Sequence, residues 1–258
     1  MKEDYTDCMN WFARKHPAPP MYGSVHLTFL FLIVIAVWTA CYIFREKNRK
    51  QVIRILFLTG VILALMEILK QIFLYRINGY FDWWRFPFQI CSMPMYLCLL
   101  LPFLKGTKQN TVLCYLDSFC LQGAFFALIF PQDMLSAWPF LTIHSFVWHG
   151  LLVFISFLII THHMEGRSSD FFHAVMLFLM LAGCAEIINI IGARIATHAL
   201  PDMFYISPYT QTLQPFFRNI ETLSGRKTEI IVYLLFYIAG CAGIHFLTAS
   251  LHKEKNTR

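Results

Sequence analysis

The stretch Ser24-Val25-His26-Leu27-Thr28-Phe29-Leu30-Phe31-Leu32-Ile33-Val34-Ile35-Ala36-Val37-Trp38-Thr39-Ala40-Cys41-Tyr42-Ile43-Phe44 contains no Asp, Glu, Lys or Arg. About 20 mostly apolar residues in a helix cross the hydrocarbon core of a bilayer, so this run reads as a membrane-spanning helix. Further runs of the same kind predict spans at about 53–75, 88–104, 111–130, 140–161, 171–193 and 228–250. The expectation is an all-α, polytopic transmembrane bundle of about seven helices, with residues 1–258 forming a single domain. The third span is short and interrupted by Pro87, Pro94 and Pro102. Proline is tolerated in membrane helices where neighbours satisfy the freed carbonyls. No internal repeat and no low-complexity segment is present.

Composition agrees with this reading. The chain is 57% apolar and 14% charged, where a soluble domain carries about a quarter charged residues. Its mean hydropathy is +0.55. Too few polar residues remain to coat a soluble globule, so lipid must solvate part of the surface. Met1 to Pro20 is polar, with Glu3, Asp4 and Asp7, and lacks a secretory signal pattern; the run after Val25 is therefore expected to stay as a span. Of eight cysteines, Cys8 falls in a loop, while Cys41, Cys91, Cys98, Cys114, Cys120, Cys184 and Cys241 sit in apolar runs. That is no disulfide framework, and no CxxC or Cys/His metal spacing occurs. Most of these thiols read as small buried hydrophobes. No cofactor and no metal is expected.

The net charge of +6 does not point to nucleic acid, because the basic residues lie between apolar runs and read as topology determinants. Arg45, Lys47, Arg49, Lys50 and Arg54 make the first inter-span loop the most basic short segment. Lys105, Lys108, Arg167, Lys253, Lys255 and Arg258 fall on the same side; Lys2, Arg14, Lys15, Arg76, Arg85, Arg194, Arg218, Arg226 and Lys227 fall on the other. The shorter, denser loops predict a multi-pass protein of the cell (plasma) membrane with its N-terminus outside and its C-terminus cytoplasmic. The segment between the last two spans carries Pro201, Pro208 and Pro215 among Phe204, Tyr205, Tyr209, Phe216 and Phe217. It reads either as an aromatic-rich interfacial loop or as a functional lid.

Ionisable groups inside spans are costly and are candidates for function. Here they are Glu67, Lys70 and Glu186, with Asn189 and Gln122 as neutral companions and His144 and His149 in the fifth span. With alternating span directions these residues and Cys91 converge on one depth, which predicts a polar pocket near the outer leaflet. Glu67 and Lys70 are three residues apart and share a helix face, as do Glu186 and Asn189. The plain alternatives are a structural ion pair and interhelical hydrogen bonding. His144 reads as a packing residue. It lies about 140° around the helix from His149 at roughly 100° per residue, which argues against a two-histidine metal site.

The segment Phe86-Pro87-Phe88-Gln89-Ile90-Cys91-Ser92 opens the third span. Pro87 suits a first helical position, which would put Cys91 in about the first turn, where the helix N-terminus favours thiolate.

Leu121-Gln122-Gly123-Ala124-Phe125-Phe126-Ala127-Leu128-Ile129-Phe130-Pro131 resembles the fourth span of the YwaF-like integral membrane family. Trp138-Pro139-Phe140 followed by His149-Gly150 is similar too, and so are the Glu67/Lys70 pair and Tyr205-Ile206-Ser207-Pro208. That family includes bacterial proteins of unassigned activity and a eukaryotic ether-phospholipid acyltransferase. In the latter a Cys opens span three after a Pro and a His sits in span five; Cys91 and His149 match them, and their separation fits. Here Ile90, not Pro, immediately precedes Cys91.

The resemblance implies a cysteine-dependent phospholipid acyltransferase or transacylase. Its thiolate would attack a lipid ester to form an acyl-thioester. His149 would carry the proton to the leaving lysolipid and then activate the acceptor hydroxyl. Asn189, Gln89 or Gln122 would orient the imidazole or donate to the oxyanion, and Lys70 would pair a lipid phosphate. Membrane phospholipid and lysophospholipid are the expected partners, and hydrolysis by the same site gives a lipase. A different class is a transporter or channel using Glu67, Lys70 and Glu186, although no internal repeat supports it. A third is a non-catalytic membrane protein, with small-residue pairs such as Ala239/Gly243 serving helix association.

Overall fold

A computed structural model describes Phe12, residues 14–164, Gly166, residues 168–212 and residues 214–256, without the side chains of Pro215 and 252–256. Cys8, Lys2, Arg167 and Arg258 lie outside the described residues. The long helices are α1 (Ser24–Phe44), α2 (Arg49–Asn78), α4 (Gly106–Ile129), α5 (Pro139–Thr161), α6 (Ser168–Ile195) and α8 (Arg226–Asn256). These six are long and apolar enough to cross a membrane, and a shorter apolar segment covers Ile90–Phe103. Helix α3 (Met93–Leu100) forms the middle of that segment, and α7 (Pro215–Ser224) precedes α8.

Local sequence sets the ends. Asn48 caps α2 by accepting from the Gln51 backbone at 3.1 Å, while the Gln51 side chain accepts from the Asn48 backbone at 3.0 Å. Gly79, at φ 76°, closes its C-terminus on the Tyr75 carbonyl. The third span departs from expectation. Cys91 belongs to a 3-10 turn, Ile90–Ser92, and not to the first turn of an α-helix. Pro87 lies outside any helix, and Pro94 occupies the first turn of α3 instead. Each proline lacks an amide N–H, and Pro102 ends the helix in a second 3-10 turn, Leu101–Phe103. Tyr96 Oη donates to the Pro87 carbonyl at 2.8 Å and ties the entry segment down.

Helix α4 stands at the centre, packed on α5, α6 and α8, while α1 touches mainly α5. Among the six spans α4 is the most buried and the second least hydropathic is α5, with α4 lowest. The inversion is physical: a helix shielded by protein can carry Asp117, Ser118 and Gln122, whereas lipid-facing helices must be apolar nearly all round. Glycines let helices approach at particular points. A Cβ on Gly60 would stand 2.8 Å from Cys98 Cβ, and one on Gly240 would collide with the Gln122 amide. Gly243 meets nothing nearby, so the Ala239/Gly243 pair does not supply a close approach at that residue.

The bundle has two chemically different ends. At one, Arg49 donates to Gln109 (3.3 Å) and Asn110 (2.9 Å), joining the first basic loop to the start of α4. At the other lie the entry to α3 and the loops 79–89, 130–138 and 196–214. Residues 202–207 are not an interfacial surface loop. Asp202 is 1% exposed and Phe204 0%, because the segment folds back against α6, where a Cβ on Gly192 would collide with Pro201. Tyr209 and Phe216 remain exposed, as an interfacial position requires.

Candidate functional site

A cavity of about 700 Å³ opens at this second end. Its wall contains Lys70 from α2, Gln89 and Cys91 from the entry to α3, Gly123 from α4, His144 and His149 from α5, and Tyr205 from the buried loop. Sequence-expected residues from several spans therefore meet at one depth.

Trp148 connects the cysteine to the histidine. Its indole N–H donates to the Cys91 carbonyl at 3.0 Å, so the helix that carries His149 holds the backbone of Cys91 directly. His149 Nδ1 lies 2.8 Å from the Ser145 carbonyl. A carbonyl only accepts, so the neutral ring carries its proton on Nδ1 and keeps the Nε2 lone pair. That is the tautomer a general base requires. Gly123 leaves room beside the thiol: a Cβ there would stand 3.5 Å from Cys91 Sγ.

His144 also borders the cavity despite its angular offset from His149. Its Nε2 donates to the Met66 carbonyl at 3.2 Å, and its ring stacks on Trp148 at 5.7 Å. It packs α5 on α2, as expected, while lining the same chamber. Lys70 Nζ sits 2.7 Å from Glu67 and 5.9 Å from the Trp148 ring centre. Glu67 is buried behind it and accepts from Gln71 at 2.7 Å, so it reaches the chamber only through Lys70.

The remaining amides do something else. Gln89 Nε2 donates to the Asp202 carbonyl at 2.8 Å, and its Oε1 accepts from the Phe204 N–H at 2.9 Å. Asn189 donates to the Met203 carbonyl at 3.1 Å and accepts from the Met203 N–H at 2.7 Å. Both side chains grip one short stretch of backbone, in which Phe204 and Tyr205 have φ of 58° and 60°. Left-handed aromatic residues are strained and persist only when the surroundings over-determine them. Gln122 donates to the Tyr237 carbonyl at 3.0 Å, tying α4 to α8. Neither Asn189 nor Gln122 lines the cavity, and Gln89 is engaged at both ends of its amide, so their expected role at an oxyanion gives way to loop and helix fixation. Glu186 is half-buried on α6 and outside the cavity wall, so Glu67, Lys70 and Glu186 do not form one pocket.

Sequence reading missed Arg226. Its side chain donates to the Ser207 carbonyl at 2.9 Å and the Tyr205 carbonyl at 3.0 Å, and pairs with Glu229 and Asp202. Burial pushes the Asp202 carboxyl above its ordinary value, opposed by the Ser207 N–H and the Arg226 charge. Trp148 was also passed over, although its place beside His149 was a usable signal. The cluster Cys114, Asp117 and His245 was missed as well: their ligand atoms all lie within 4.8 Å of one another.

The model of the TMEM164 family, a membrane protein family, matches residues 21–217. The chain belongs to the TMEM164 family. The match runs from the start of α1 through the cavity-lining part of α7, so the Cys91–Trp148–His149 arrangement and the gripped loop are inside the TMEM164 region, while α8 follows it. Comparison with curated proteins and with solved structures returned no match.

Proposed function

We propose that this TMEM164-family membrane protein is a cysteine-dependent phospholipid acyltransferase, related to the YwaF-like proteins, with Cys91 as nucleophile and His149 as base. One observation carries the reading: a thiol and an Nδ1-protonated imidazole share a cavity wall and are coupled through the Trp148–Cys91 hydrogen bond.

In the first half-reaction the Cys91 sulfur bonds to the ester carbonyl of a phospholipid. The carbonyl–oxygen bond to glycerol breaks, and the thiol proton passes through His149 Nε2 to the departing lysolipid oxygen. In the second, His149 takes the proton of an acceptor hydroxyl, which attacks the thioester and releases the thiolate to be reprotonated. Lys70 and Arg85 in the wall offer positive charge to a lipid phosphate, and the surrounding aromatic side chains suit an acyl chain. The donor is a membrane phospholipid and the acceptor a lysophospholipid.

The N-terminus is placed outside by the density of Lys and Arg in the short segment that joins α1 to α2: Arg45, Lys47, Arg49, Lys50 and Arg54. In that orientation the cavity faces the outer leaflet of the plasma membrane.

Intact-mass spectrometry of detergent-purified protein, incubated with mixed phospholipids and lysophospholipids, tests the activity. A fatty-acyl adduct on wild type that neutral hydroxylamine removes and Cys91→Ala lacks is the expected result, with His149→Ala forming it far more slowly. Absence of both adduct and acyl exchange in wild type would overturn the reading.

A further inference from the structure

We propose that Cys114, Asp117 and His245 bind one divalent transition-metal ion, with zinc the best chemical fit, as a clamp between α4 and α8. Cys114 Sγ lies 3.5 Å from His245 Nδ1. Sulfur at about 2.3 Å and imidazole nitrogen at about 2.0 Å from a zinc ion, at a tetrahedral angle, stand about 3.5 Å apart. The Asp117 carboxylate lies within 4.8 Å of both, so a small side-chain adjustment completes three ligands. A second carboxylate oxygen or a water fills the fourth position.

The surroundings fit a cation. All three side chains are buried, at 0%, 1% and 1% exposure. Isolated charge is costly inside a bilayer, whereas thiolate, carboxylate, neutral imidazole and a dication sum to zero. Binding releases the thiol proton, and the carboxyl proton where Asp117 holds one. Cys114 and Asp117 are three residues apart on one face of α4. The His245 ring stacks on Phe171 at 4.9 Å and 20°, which fixes its orientation, and Ser118 Oγ donates to the Cys114 carbonyl at 2.6 Å.

The site is separate from the catalytic reading and does not depend on it. Along α8, His245 lies about 12 Å from the cavity-lining Tyr237 at roughly 1.5 Å rise per residue. The ion is structural: it ties the last helix to the central one.

The test uses full-length protein purified from zinc-supplemented cells through a tag that does not bind metal. Elemental mass spectrometry should find about one zinc per wild-type chain and about a tenth or less in Cys114→Ala or Asp117→Asn, with Cys91→Ala retaining the full amount. Cobalt loading should give a thiolate-to-metal charge-transfer band that Cys114→Ala abolishes. Because misfolding of a variant would also lose the metal, chelation of folded wild type is the second measurement: it should lower the thermal midpoint, and zinc should restore it. Wild type that holds no more zinc or cobalt than Cys114→Ala after loading, with a midpoint indifferent to chelation, would overturn the proposal. So would zinc retained equally by Cys114→Ala.

Discussion

Substituting Gly123 by alanine probes how tightly α4, α8 and the thiol are fitted together. The added Cβ would stand 2.8 Å from Tyr237 Oη and 3.5 Å from Cys91 Sγ. Relaxed carbon–oxygen contacts lie at about 3.3–3.6 Å, so roughly half an ångström must be found. Tyr237 cannot easily yield it. Its hydroxyl donates to the Phe119 carbonyl at 2.9 Å, and its ring stacks on Phe178 at 5.3 Å and 7°. Overpacking of this size costs about 1–3 kcal/mol, so Gly123→Ala should destabilise the protein by that amount in detergent denaturation. Tyr237→Phe removes the atom that is struck. Combined with Gly123→Ala it should be less destabilised than the sum of the single variants, by about 1–2 kcal/mol. The thiol contact is ordinary, so Gly123→Ala should still acylate at Cys91, whereas Gly123→Val, with methyls beside Sγ, should not. Additivity of the two substitutions to within about 0.5 kcal/mol would refute the packing argument.

Trp148→Phe keeps a smaller aromatic ring and removes the N–H, leaving the Cys91 carbonyl without its donor; stability should fall by about 1–3 kcal/mol and thioester formation should slow, as read by intact mass over time. Asn189→Leu strips both partners from Met203 and should raise protease cleavage within 202–207, while an exposed control such as Asn219→Leu should not. Glu67→Gln removes the carboxylate partner of the partly buried Lys70, costing about 1.5–3 kcal/mol in denaturation, and the double change Glu67→Gln, Lys70→Met should recover part of the loss.

The architecture was legible because lipid imposes a simple rule on long apolar runs, and α1 could be read residue by residue. The third span was harder. Its prolines announced an irregular helix, but which proline would open the α-helix depended on Tyr96 reaching back to Pro87. In the site, Cys91, His149 and Lys70 were nameable because reactive or charged side chains at membrane depth are rare. The roles of Gln89 and Asn189 were not, since an amide looks the same in sequence whether it faces a ligand or clasps a backbone. Loop 202–207 misled because aromatic residues suit both an interface and a core. His245 gave no signal beside Cys114 and Asp117, because the three meet only when α8 packs on α4.

The central place of α4 bears on how the chain is assembled in the cell. An aspartate at mid-helix disfavours release from the translocon into lipid by about 2.5–3.5 kcal/mol, and Asp117, Ser118 and Gln122 all lie on α4. Protein neighbours arrive late: Ser156 of α5 reaches the Leu116 carbonyl at 2.7 Å, and Tyr237 and His245 of α8 approach Gln122 and Cys114. Nascent α4 therefore lacks part of its polar pairing until the final helix is made. A chain stalled before Arg226 would leave Gln122 and Cys114 of the core helix without the contacts that α8 gives them.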